Sequence, residues 1–183
     1  MIQRLAYMTF SALLLSGVSA NARQICAQMG ATELVESELY CVSSVLPSQS
    51  GNNYGPQNLF DGSNRTAWCE GVPGNGEGER IHIRIEDGPP FRRLLINNGY
   101  AKSADTYRNN GRARTIDITT DRGDRIRTVL PDTSSEVVVQ IPGPVQYREL
   151  TIRIVDTYPG SKYQDTCINS IFPDLEYERS LEF

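Results

Sequence analysis

The chain has 183 residues, a formal net charge of −4 at pH 7 and four cysteines. That length suits one domain around a single core. The acidic balance, with no basic run along the chain, argues against capture of nucleic acid or of an anionic membrane surface.

In chain order, residues 1–20 come first. Arg4, an apolar run over residues 5–18 and the small residues Val18-Ser19-Ala20 form the three parts of a secretory signal peptide. The run is too short for a comfortable membrane span, and no later segment is long and apolar enough to be one. The sequence therefore reads as a secreted or periplasmic protein cleaved near Ala20. Residues 21–46 read as a short N-terminal extension, in which Glu33-Leu34-Val35-Glu36 has the pattern of a helix between two cysteines. Residues 47–183 read as the main domain. Its opening, residues 47–78, is rich in Gly, Asn, Ser and Pro and predicts long loops.

Beyond Gly78, six short runs mix apolar and polar residues, most of them with period two: 81–85, 94–96, 116–119, 126–129, 137–141 and 150–154. Alternation puts one face of such a run in a core and the other in water. Turn formers separate the runs, among them Asn98-Gly99, Arg122-Gly123-Asp124 and Pro142-Gly143-Pro144. Many short strands punctuated in this way predict an all-β sandwich.

Cys26, Cys41, Cys69 and Cys167 form an even set in an exported chain, where disulfides persist. Of the three possible pairings, the expected one joins Cys26 to Cys41, closing a local loop, and Cys69 to Cys167, tying the start of the main domain to its end. A zinc site would lack paired cysteine spacing and has only His82 to add. Catalytic motifs are missing as well. The glycine-rich segment 71–78 precedes a strand instead of following one, and no Gly-x-Ser-x-Gly elbow occurs. His82 sits between Ile81 and Ile83, so it should point away from the core with no evident orienting partner.

Three loops carry the informative residues. The first, residues 54–71, contains Asn58-Leu59-Phe60-Asp61-Gly62 followed by Thr66-Ala67-Trp68. The second contains Asn98-Gly99-Tyr100-Ala101-Lys102-Ser103 and continues through Tyr107, Asn110 and Arg112. The third contains Tyr158-Pro159-Gly160-Ser161-Lys162-Tyr163-Gln164-Asp165-Thr166-Cys167. The first resembles the Asn-x-x-Asp-Gly-x-x-x-Thr-x-Trp opening of discoidin, or coagulation factor 5/8 type C, domains. All three together, in this order, resemble the discoidin-like subfamily named for the glycan-binding translocation domain of streptococcal NAD glycohydrolase. The match spans residues 54–171.

The resemblance implies an eight-stranded, galactose-binding-like jelly-roll sandwich, non-catalytic, with a ligand site in loops at one end. The expected ligand is a glycan or glycoconjugate; the alternative is an adhesion domain with a protein partner. The loops have the inventory for a sugar, with Tyr100, Tyr107 and Tyr158 as flat apolar surfaces and Glu70, Asn98, Lys102, Asn110 and Arg112 as polar groups. Lys162 joins them, since Lys102 and Lys162 are the chain's two lysines against sixteen arginines and both fall in the loop motifs. Trp68 is expected in the core. Many discoidin-like relatives hold a structural calcium on the Asp of the first loop, which here is Asp61. An acidic residue near the final strand completes that shell, and Ser170 stands in its place here.

Overall fold

The computed structural model describes residues 24–181. Its strands are β1 (Ile25–Met29), β2 (Ser37–Val42), β3 (Trp68–Cys69), β4 (Arg80–Glu86), β5 (Phe91–Asn98), β6 (Gly111–Thr120), β7 (Arg125–Val129), β8 (Val137–Val145), β9 (Glu149–Tyr158) and β10 (Thr166–Pro173). Two short helices, α1 (Ala104–Asn109) and α2 (Tyr177–Ser180), accompany them. The six runs of the sequence lie, in order, within β4 to β9. In β4 the side chains of Ile81, Ile83 and Ile85 are buried while Arg80, Arg84 and Glu86 are exposed. Strand β9 buries Leu150, Ile152 and Ile154 in the same way.

Neighbouring strands follow the order β1-β2-β4-β9-β6-β10-β5-β8, with β3 beside β10 and β7 beside β6. Every pairing is antiparallel except β6 with β10, a parallel contact that sets Thr166 against Gly111 and Cys167 against Arg112. That contact is the seam between two layers. Ile83, Ile118 and Ile152 from one layer share a core cluster with Leu94, Ile96, Val139 and Ile171 from the other. Each such side chain contributes roughly 1.5–3 kcal/mol on burial. The result is the all-β sandwich that the alternation predicts, and Trp68 is fully buried in it.

The N-terminal segment differs from its sequence reading. Residues 33–36 form a turn in place of a helix: Thr32 Oγ1 accepts the N–H groups of Leu34 and Val35, and Glu36 N–H donates to the Glu86 carbonyl. The seven residues between the two paired strands are too few to offset helix nucleation. Nor is the segment separate from the sandwich. β2 pairs with β4 over six residues, and Tyr40 and Val42 belong to the main core. β1 adds an outer strand, so the described chain has more strands than the eight expected. Both expected disulfides are present, with Cys26 and Cys41 directly opposite each other on β1 and β2.

The second disulfide fixes one end of the sandwich. Cys167 of β10 lies opposite Cys69 of β3, and Ile168 lies opposite both Trp68 of β3 and Asn98 at the end of β5. With Gly111 against Thr166, the loops before β3, between β5 and β6, and between β9 and β10 all emerge at one edge of the sandwich.

Candidate functional site

These loops enclose a cleft of about 210 Å³. The loop before β3 lines it with Gln49, Asn52 and Tyr54, the second loop with Tyr100, Lys102 and Asn110, and the third with Tyr163 and Asp165. Helix α1 sets the position of Lys102. Ser103 is its N-cap, with the Ser103 side chain accepting from Thr106 N–H and the Thr106 side chain accepting from Ser103 N–H. The ammonium just before this cap donates to Asn52 Oδ1 at 2.9 Å. Tyr100 lies beneath, buried, edge-on to Tyr54 with ring centroids 6.2 Å apart. Burial pushes its hydroxyl pKa up.

The third loop is fastened to the C-terminal end of α1. Lys162 and Tyr163 N–H groups donate to the Asn109 carbonyl, and Ser161 N–H donates to the Arg108 carbonyl. Gly160 permits this approach, since a Cβ there would meet the Asn109 carbonyl oxygen at 2.4 Å. The fastening leaves Tyr163 44% exposed, with the Lys162 ammonium 5.1 Å from its ring centroid. Asp165 is held by its backbone, whose carbonyl accepts from Gly111 N–H. Among the described residues its carboxylate has no hydrogen-bond or ion-pair partner.

Tyr100, Lys102 and Asn110 therefore meet at the cleft, and Lys162 flanks it. The other sequence candidates lie elsewhere. Arg112 is buried, and its guanidinium donates to both Asp132 oxygens at 2.8 and 3.0 Å and to the carbonyls of Tyr107 and Asn110. Tyr107 also donates to Asp132, and Tyr158 donates to the Leu130 carbonyl. Arg112 is buried between the half-buried rings of Tyr107, on α1, and Tyr158, and the donors of all three are already engaged. Asn98 is fully buried, exchanging two hydrogen bonds with the Ala113 backbone. Glu70, also fully buried, accepts from Thr166 and Val72 N–H groups and ties the glycine-rich loop to β10. Burial raises its pKa, against the lowering effect of those two bonds. Conversely, Gln49, Asn52, Tyr54, Tyr163 and Asp165 were not singled out by the sequence. Tyr163 and Asp165 stood inside the third motif, and the signal was an aromatic in a loop with no apolar neighbour to bury it.

Comparison with known proteins agrees with the fold. Residues 34–173 match the model of the NAD glycohydrolase translocation F5/8 type C domain family. The chain belongs to this family. No curated protein matches it. Among solved structures, the family 32 carbohydrate-binding module of Clostridium perfringens NanJ, in complex with galactose, superposes with a TM-score of 0.55 at 14% identity. That match covers 73% of this chain and 90% of the module. The family 32 module of Streptococcus pneumoniae EndoD gives 0.53 at 11% identity, over 72% of this chain and 92% of the module. CpGH89CBM32-5 from Clostridium perfringens, in complex with GalNAc-β-1,3-galactose, gives 0.51 at 11%, over 73% and 92%. At these identities the likeness is one of fold.

Membership in the F5/8 type C family brings the calcium of the first loop into question, and the donor set does not fit it. A hard cation needs oxygens turned towards it. Here Ser63 and Thr66 carbonyls both accept from the Asn169 side-chain amide, the first at 2.8 Å. Asp61 accepts from Ser63 N–H at 2.9 Å and from the Thr66 hydroxyl at 2.7 Å. The amide N–H groups take the role that a cation would fill. Among the described residues no three His, Cys, Asp or Glu side chains gather into a metal cluster.

Proposed function

We propose that this chain is an exported, non-catalytic module that holds a glycan in the loop-end cleft. The observation that carries the reading is the exposed Tyr163 lining one cleft with the unpaired Asp165 carboxylate, Lys102 and Asn52. A sugar offers C–H groups on its faces and hydroxyls on its edges. An aromatic surface next to one acceptor and one cationic donor answers both. The galactose and GalNAc-β-1,3-galactose held by two of the structural neighbours support the ligand class. A glycan array followed by titration with the preferred sugar tests it. We expect a Kd in the millimolar to micromolar range, about −4 to −8 kcal/mol. Tyr163→Ala should weaken binding severalfold while moving stability by less than about 0.5 kcal/mol. No binding across the array, or equal binding by the variant, refutes the reading.

The chemistry of the cleft supports the non-catalytic reading. Ser50 and Thr106 line it, and among the described residues neither hydroxyl is hydrogen-bonded to a carboxylate or to the one histidine, which on β4 bonds to Thr151 instead. Purified protein should turn over no glycoside, ester or dinucleotide. Turnover abolished by a single cleft substitution would reverse this. Export rests on residues 1–20, which lie outside the described residues, together with two disulfides that persist under oxidising conditions. Intact-mass analysis of the processed chain should find cleavage near Ala20.

A further inference from the structure

We propose that the outer face of the layer formed by β4, β9, β6 and β7 is a second binding site, for a short acidic oligosaccharide bearing carboxylate or sulfate groups. The sheet register builds it. Arg127 lies opposite Asp117, Asp117 opposite Arg153, and Arg153 opposite Arg80, making one row across four strands. A second row follows two residues along, in which Arg125, Thr119, Thr151 and His82 are opposed in turn. Each row spans roughly 14 Å at the usual strand spacing. Four arginines and two threonine hydroxyls thus line a groove of about 440 Å³.

Its charge is not neutralised from within. Asp117, the one acid lining the groove, is held by both ends of the Arg127 guanidinium at 2.6 and 2.8 Å. Among the described residues Arg80, Arg125 and Arg153 make no ion pair. Arg80 and Arg153 are moreover like charges directly opposed on adjacent strands, an arrangement that destabilises a sheet. An anion between them removes that cost, and planar guanidinium groups suit carboxylate and sulfate. The chain is net acidic, at −4, so the residues outside this face carry more negative charge than the total. A long polyanion such as nucleic acid would be repelled beyond the groove, whereas a short one fits within it. The threonine hydroxyls add the neutral hydrogen-bonding partners that a sugar backbone needs.

The choice of an oligosaccharide rests on the glycan reading of the loop-end cleft; the anion site does not. The test is a titration at low salt with a sulfated uronate tetrasaccharide, an unsulfated uronate tetrasaccharide, a neutral tetrasaccharide and a single-stranded DNA of equal charge. We expect one or both acidic sugars to bind, more weakly as salt rises. Arg125→Ala with Arg153→Ala should reduce that affinity about tenfold or more, with the melting temperature unchanged or raised because Arg80 loses its like-charged neighbour. Tyr163→Ala should leave it intact. If Tyr163→Ala abolishes it instead, the acidic sugar sits in the cleft and this site falls while the glycan reading stands. Absence of acidic-sugar binding, equal binding by the double arginine variant, or tighter binding of the DNA overturns the proposal.

Discussion

Arg112 and Lys102 are both basic residues in the second loop motif, and the structure gives them opposite meanings. Every donor nitrogen of Arg112 has a partner, and its side chain is 9% exposed against 41% for Asp132. Arg112→Ala strands a carboxylate and two carbonyls. Breaking a fully buried pair costs about 3–5 kcal/mol, and the half-exposed partner reduces this to about 2–3 kcal/mol. Chemical denaturation should report that loss. Lys102→Ala removes one exposed hydrogen bond to Asn52, so it should change stability by less than about 0.5 kcal/mol and act on sugar affinity alone. A pH titration adds a signature. The Arg112 hydrogen bonds, assisted by Tyr107, hold the Asp132 carboxyl below its ordinary value. A depressed carboxyl contributes stability that is full above its unfolded pKa of about 3.9 and is lost as pH falls through the folded value. The acid limb of the stability curve below about pH 4 should therefore be shallower in Arg112→Ala than in the parent. Identical limbs would show that the pair does not govern it.

At the scale of elements, what the sequence made legible depended on how each strand meets water. Strands β4 and β9 have one wet face and alternate, and both stood out. Strand β10 was missed because it is buried along almost its whole length, including Thr166, Asn169 and Ser170, so polar residues there mark internal hydrogen bonds instead of solvent. β2 was hidden for the same reason, since Glu38 is buried and accepts from Tyr40 at 2.6 Å. The candidate site was legible as three loops but not as a set of side chains. Nothing in the order of residues tells that Arg112 turns inward to Asp132 while Tyr163 turns outward. Nor does it bring together Arg80, Arg125, Arg127 and Arg153, which are dispersed in sequence and adjacent only through register. β10 and the first loop also yield a test at this scale. With the Asn169 amide bridging two carbonyls, the loop should be independent of metal, and chelator or added calcium should leave the melting temperature unchanged. Asn169→Asp replaces a donor by a carboxylate facing those carbonyls, which should destabilise by about 1–3 kcal/mol. Calcium should then restore part of the loss, because the oxygens now match its preferences. A parent protein that gains stability with calcium contradicts the account.

At the scale of the whole molecule, the two disulfides divide their work between the edge of the sandwich and the end that carries the cleft. Cys26 and Cys41 are 15 residues apart and fasten β1, an outer strand, to β2. Cys69 and Cys167 are 98 residues apart and join the strands from which the first and third loops emerge. In the chain-entropy view these closures contribute about 3 and about 4.7 kcal/mol. Stability alone would separate them by less than about 2 kcal/mol, so the sharper distinction lies in binding. Cys26→Ala with Cys41→Ala leaves Tyr163, Asp165 and Lys102 in place, and the folded variant should bind the preferred sugar with the parent's affinity. Cys69→Ala with Cys167→Ala frees β3 from β10 at the base of the cleft. Even well below its melting temperature, that variant should lose sugar affinity by about tenfold or more, since the loops must be ordered at the moment of binding. Calorimetric melting and sugar titration on the same samples compare the two. Equal affinities in both variants would mean that the cleft is organised by the hydrogen bonds between α1 and the third loop, without help from the covalent tie.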